Sequence, residues 1–219
     1  MPASPPRPRP LSDPFERVRS TGFALAAVMG VRAALPLITL SVSALFGPAT
    51  PTGIAPTSDG ALVAETIVLN LAGSMSLLLG VGLLLWLHQL FTALRTIGCA
   101  TRTSPRLAVA GWLIPVANLV LPALTMREAV AKSGGHAWLA LVWWLVCLVH
   151  VPLSLYDLVV RELRLDDELV ALMDGRVFDR LQQIHADLGW LHLASETLTW
   201  GLLGYLVARA SWAHRRWET

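Results

Sequence analysis

The chain has 219 residues, 54% of them hydrophobic and 15% charged, and its mean hydropathy is +0.57. Soluble domains are about 45–50% apolar and about 25% charged, so these proportions exclude a disordered chain and argue against an ordinary soluble domain. Seventeen Lys and Arg against fifteen Asp and Glu give a net charge of +2, and no nucleic-acid partner is expected without a basic face or stripe. The two cysteines, Cys99 and Cys147, offer neither a disulfide framework nor a zinc-ligand spacing. The composition is that of a multi-pass membrane protein, whose first partner is the lipid bilayer.

Residues 1–20 begin with a proline-rich stretch bearing Arg7 and Arg9. They are expected to form a disordered cytoplasmic tail, with a proline-rich docking site as the sharper alternative. Residues 21–216 are expected to form a single transmembrane helical domain. The apolar run 22–46 is longer than the 7–15 residues typical of a signal-peptide core and contains Arg32, so it reads as an uncleaved first span. A loop rich in proline and glycine follows at 47–60, then a second span at 61–87, whose part 66–87 carries no charge. A basic connection at 88–106 holds Arg95, Arg102 and Arg106. The uncharged stretch 107–126 is interrupted by Pro115 and Pro122. A further span covers 137–156, with Trp138 and Tyr156 at its ends, where interfacial aromatics belong. The last span is expected at 189–208, before a basic C-terminus with Arg209, Arg215 and Arg216.

Between these last two spans, the segment 157–188 mixes acids with Arg161, Arg164, Arg176 and Arg180. Leu158, Leu165, Leu169, Leu172 and Met173 recur at helical spacing, which predicts an amphipathic charged helix that continues the preceding span and breaks near Gly175. It reads as a solvated helical hairpin, or as the face for a protein partner.

The fold class expected is an all-α polytopic membrane bundle. It has four full transmembrane helices and a proline-broken element at 107–126 that is re-entrant or a fifth transmembrane helix. The re-entrant reading puts twelve Lys and Arg on the cytoplasmic side and four outside, and the five-span reading puts eleven inside and five outside. The positive-inside rule barely separates the two. Two prolines flanking Asn118 favour the broken, protein-buried element, which is tolerated at membrane depth only where protein or water satisfies its backbone. The protein is expected in the plasma membrane with its N-terminus cytoplasmic.

The most specific text is the run WLIPVANLVLP at 112–122, followed by Met126, Arg127 and Glu128. Pro115 and Pro122 remove backbone donors and leave carbonyls unpaired; Asn118 is placed to donate to one of them. Trp112 suits an interface, and Arg127 and Glu128 mark a return to water. With Ser104-Pro105, Gly111, and the Trp86-Leu87-His88 run followed by Arg95, this pattern resembles an uncharacterised bacterial multi-pass membrane family, domain of unknown function 4328. The resemblance runs from about Gly22 to Arg216 and implies membrane residence and fold, with no activity and no cofactor.

Ionisable groups inside spans are candidate functional residues. Here they are Arg32, Glu65, His150, His192 and Glu196, with Asn70 as an uncharged companion. His192 and Glu196 share a helix face, and antiparallel spans bring His150 to the depth of Glu196. Arg32 lies near mid-membrane, ten residues past Gly22, as a partner for Glu196 or a snorkelling cation. His150, His192 and Glu196 are acceptable metal-ligand types, but no spacing pins them, and no metal is expected. Ala26, Gly30 and Ala34 make a small-residue stripe suited to close helix packing or to homo-oligomerisation.

Three functions compete. The first is a non-enzymatic scaffold or regulatory interaction protein using the tail and the 157–188 segment. The second is a small transporter or channel-like protein using a polar chamber of Arg32, His150, His192 and Glu196 beside the broken helix. A lipid-modifying enzyme is the weakest, for want of a nucleophile or metal set.

Overall fold

The computed structural model describes residues 15–46, 59–114, 117–165 and 175–212. All regular elements among them are helical: α1 (Glu16–Phe46), α2 (Asp59–Thr96), α3 (Pro105–Leu113), a 3-10 turn (Ala117–Leu119), α4 (Leu121–Lys132), α5 (Trp138–Leu165) and α6 (Gly175–Trp212). Among the described residues, three helices are long and apolar enough to cross a membrane, in α1, α2 and α5. The expected span 189–208, within α6, is not among them. His192, Ser195, Glu196, Thr197 and Thr199 lower its hydropathy, and Ser195 and Thr199 are buried in the bundle.

The long helices alternate in direction. Gly22 of α1 lies against Ser211 of α6 and Gly204 of α6 against Met29 of α1, so α1 and α6 are antiparallel. α6 closes on α1 near the small-residue stripe, because Gly204 has no side chain to hold it off the backbone of Ala26 and Gly30. α2 runs against α1, with Gly82 beside Leu25, and parallel to α6, with Trp86 Nε1 donating to Ser211 Oγ at 3.1 Å. α5 is antiparallel to α6. The N-terminal end of α1 and the C-terminal ends of α2 and α6 therefore share one end of the bundle. Met29, Leu83, Trp86, Leu90, Phe91, Leu203 and Leu206 fill the core between these helices. Opposite it, α5 turns Leu141, Leu145, Val149 and Leu155 outward. So large an apolar face is what a lipid or protein neighbour covers.

α2 extends to Thr96, beyond the expected boundary at 87. Its end is a glycine cap: Gly98 adopts φ +76°, a region that penalises any Cβ, and Cys99 N–H donates to Leu94 O at 2.9 Å. Ser104 then caps α3 by accepting from Leu107 N–H, with Pro105 in the first turn, where its missing donor is harmless.

The stretch 107–126 does not form one helix. α3 stops at Leu113, the chain turns through Ala117–Leu119, and α4 returns, so that Gly111 lies against Leu121. Pro122 stands in the first turn of α4. Pro115 lies outside the described residues. Asn118 is expected to satisfy an orphaned carbonyl, yet the bond across the break comes from elsewhere: Trp144 Nε1 on α5 donates to Leu119 O at 2.9 Å. Asn118 N–H donates to Ile114 O at 2.8 Å. Trp112 packs against buried Trp143 with ring centroids 6.0 Å apart.

Glu128 closes this hairpin. Its Oε1 accepts from Arg102 N–H at 2.6 Å, and its Oε2 accepts from Thr103 N–H at 3.0 Å and from Thr103 Oγ1 at 2.6 Å. One carboxylate thus ties the chain just before α3 to the last turns of α4. Both ends of the hairpin are held at the same end of the bundle, alongside the N-terminus of α1.

α5 continues without a break past Tyr156 to Leu165, and α6 begins at Gly175. The residues 166–174 between them lie outside the described residues, as does the tail 1–14.

Glu128→Ala removes three hydrogen bonds to a charged acceptor, each worth about 1.5–3 kcal/mol if fully sheltered. Because the loop is partly exposed, a loss nearer about 1–3 kcal/mol is expected, read as a lower thermal midpoint in detergent, with Glu128→Gln intermediate. Gly22→Val places methyl groups where Ser211 Oγ and Trp86 Nε1 sit. It is expected to break the Trp86–Ser211 bond and lower stability by about 1–3 kcal/mol in the same assay.

Candidate functional site

The polar residues that the sequence scatters over three helices meet inside the bundle. Arg32, 7% exposed, projects from α1. Its Nη2 forms an ion pair with Glu196 Oε1 of α6. Its Nε donates to Ser76 Oγ of α2 at 3.3 Å, and its guanidinium carbon lies 5.7 Å from the centre of the Trp200 ring. The charge is thus compensated by a carboxylate, a hydroxyl and an aromatic face, each from a neighbouring turn. An unpaired arginine buried in this bundle would be costly.

One turn further along α6, His192 stacks on His150 of α5, with ring centroids 5.3 Å apart and an interplanar angle of 14°. Two hydroxyls bind the pair. Ser154 Oγ lies 3.1 Å from His192 Nε2 and 3.3 Å from His150 Nε2. Ser195 Oγ lies 3.1 Å from His150 Nδ1. A cleft lined by Leu153, Tyr156, Asp157, Leu188, Gly189 and His192 lies beside the pair, on the side of Asp157 and Gly189, with a cavity volume of about 10 Å³.

The cluster lies near the middle of its helices. At about 1.5 Å per residue, His150 lies about 18 Å from Trp138 and about 22 Å from Leu165. Arg32 is about 24 Å from the start of α1 and about 21 Å from Phe46, because that helix begins at Glu16 and not at the expected Gly22.

Arg32, His150, His192 and Glu196 are brought together as neighbours. The side chains of Asn70 and Glu65 lie outside the described residues, although both positions fall on α2. Among the described residues, no group of three or more His, Cys, Asp or Glu is placed to hold a metal ion. Of the motif residues, Trp112, Pro122 and Glu128 shape the hairpin, and Arg127 is exposed on α4. Sequence reasoning missed Ser76, Ser154, Ser195 and Trp200. Ser154 and Trp200 stand four residues after His150 and Glu196, and Ser195 stands three after His192, so helical spacing from the ionisable groups would have found those three.

Replacing Glu196 with Leu leaves a buried guanidinium unpaired and is expected to destabilise the protein by about 2–3.5 kcal/mol. Glu196→Gln keeps an acceptor and is expected to cost less. The double variant Arg32→Met with Glu196→Leu is expected to recover most of the loss. Thermal unfolding of the purified protein in detergent measures all three.

No curated protein and no solved structure matches the chain. A family model, Domain of unknown function (DUF4328), matches residues 52–211. The match contains α2 to α6, hence His150, His192, Glu196 and the hairpin, while α1, the source of Arg32, precedes it. With most of its length matched, this chain belongs to that family of uncharacterised domains.

Proposed function

We propose that this chain is an integral membrane protein with four crossing helices, α1, α2, α5 and α6, and a re-entrant hairpin of α3 and α4. In this reading it is a non-enzymatic interaction protein of the plasma membrane. The observation that carries the topology is the Glu128 carboxylate, which joins the two ends of the hairpin. A fully crossing segment would keep those ends a membrane thickness, about 30 Å, apart. The N-terminus, the α2–α3 loop, the α4–α5 connection and the C-terminus then lie on one side, with twelve Lys and Arg against four on the other. That bias makes the first side cytoplasmic. α6 crosses despite its polar residues because Ser195, Glu196 and Thr199 face protein.

The scaffold reading is favoured by the compensated state of the polar cluster. Arg32 and Glu196 neutralise each other, and the adjoining cleft, with a cavity volume of about 10 Å³, is far smaller than the 300–1,000 Å³ usual for a small-molecule site. The surface offered to a partner is the extension of α5 and α6 beyond the cluster, where Asp179, Arg180, Gln183 and Asp187 are exposed. A small transporter is the second reading, favoured by the same intramembrane histidines and ion pair.

Single cysteines at Ala100, Lys132 and Gly175, in a background lacking Cys99 and Cys147, test the topology. An impermeant thiol reagent is expected to label Ala100→Cys and Lys132→Cys from one side and Gly175→Cys from the other. Labelling of Ala100→Cys and Lys132→Cys from opposite sides makes the hairpin a fifth span. A photo-crosslinking residue at Gln183 is expected to give a discrete adduct in native membranes, and its absence removes the interaction role.

A further inference from the structure

The stacked histidines and their two serines share a small set of protons. Ser154 Oγ is placed to donate to His150 O at 3.0 Å, and Ser195 Oγ to His192 O at 2.7 Å. Three ring nitrogens also sit within hydrogen-bond distance of those two oxygens: His192 Nε2, His150 Nε2 and His150 Nδ1. Two neutral imidazoles carry only two N–H groups, and each hydroxyl has one proton. With both rings neutral, the third contact is met only when a hydroxyl turns from its helix carbonyl to a ring lone pair. One more proton on the pair satisfies all three contacts and keeps both carbonyl bonds.

We propose that His150 and His192, bridged by Ser154 and Ser195, form a binding site for a single proton, reached from the α5–α6 turn. The proton binds the lone pair of a ring nitrogen, forming an N–H bond on His150 with no bond broken. His150 Nδ1–H then donates to Ser195, His150 Nε2–H and His192 Nε2–H both donate to Ser154, and every contact has a donor. The face of the His192 ring lies against the resulting cation. The neighbouring charges are Arg32 from α1 and Glu196 from α6, both within electrostatic reach of His150, and Asp157 with Tyr156 at the cleft on α5. α2 presents Ser76 to Arg32. Access is one-sided: the cleft reaches His192 from the α5–α6 turn, whereas Met29, Leu203 and Leu206 fill the bundle toward the other end. The site is independent of whether the protein acts as a scaffold or a transporter.

The test is a titration of the full-length chain, labelled with ¹⁵N-histidine, in lipid nanodiscs between about pH 4.5 and pH 9, the range in which histidine changes charge. His150→Asn and His192→Asn identify the two resonance sets. In the unsubstituted protein, both rings are expected to respond at one midpoint with the uptake of one proton. Ser154→Ala removes the shared acceptor of the protonated form and is expected to move that midpoint to lower pH by about 0.5–1 unit, a threefold to tenfold weaker proton affinity. Independent titration of the rings, absence of titration over the range, or an unmoved midpoint in a folded Ser154→Ala protein overturns the proposal. For access, Leu153→Cys in the Cys99- and Cys147-free background is treated in sealed vesicles with an impermeant sulfonate thiol reagent. Reaction only from the side that labels Gly175→Cys is expected, and reaction from the opposite side overturns the one-sided route.

Discussion

A guanidinium removed from water must be met by opposite charge and hydrogen-bond acceptors, or its helix will not stay in an apolar layer. Arg32 meets that requirement by drawing in three other side chains, Glu196, Ser76 and Trp200, from two other helices. The requirement fixes more than one contact. It sets the register of α1 against α6, because a shift of one turn would leave both charges unpaired. It also brings α2 to the same level. Around this point, the small residues Gly22 and Gly204 let the backbones approach, and Trp86 donates to Ser211 at the far end of the same interface. Apolar packing alone, which is directionless, would not select one register among several.

The hairpin obeys the same rule for backbone groups. Breaking a helix inside the bundle frees carbonyls that an apolar surrounding cannot satisfy. Trp144 supplies an indole N–H to Leu119 O, and Glu128 supplies two carboxylate oxygens to the amides before α3. Both substitutes are side chains distant in sequence from the groups they serve. The break is therefore a product of the assembled bundle rather than of its prolines alone. The stacked histidines extend the pattern: Ser154 and Ser195 each bridge helix backbone and imidazole, joining α5 to α6 next to the ion pair. α6 is the element on which the others converge, and its polar inner face is the reason that it lacks the hydropathy of its neighbours.

Much of this was legible in the chain itself. Long apolar runs mark α1, α2 and α5, and α5 continues past Tyr156 as far as Leu165. Helical periodicity also places His192 and Glu196 on one face. Helix ends were less legible: α1 starts at Glu16 and α2 reaches Thr96, because charged residues near a span end continue a helix that the hydropathy profile cuts short. The role of Asn118 was misjudged for a related reason. A carbonyl's donor is chosen by spatial proximity, and the nearest N–H proved to lie on Trp144. Serines escaped notice because a hydroxyl in an apolar run carries no charge signal; their importance follows only from the imidazoles they touch.

The sequence by itself determined the helical class, the membrane-compatible composition, the break between α3 and α4, and which ionisable residues had to be sheltered. These follow from local properties: apolar run length, proline's missing donor, and the cost of burying charge. Only the tertiary structure decided that the broken segment folds back on itself. It also decided that Arg32 meets Glu196 and Ser76 together, that His150 and His192 stack, and that two serines bridge them. Those outcomes depend on distances between residues as many as 164 positions apart. No local pattern encodes such distances; they emerge when helices must satisfy every buried charge and donor within a single packing.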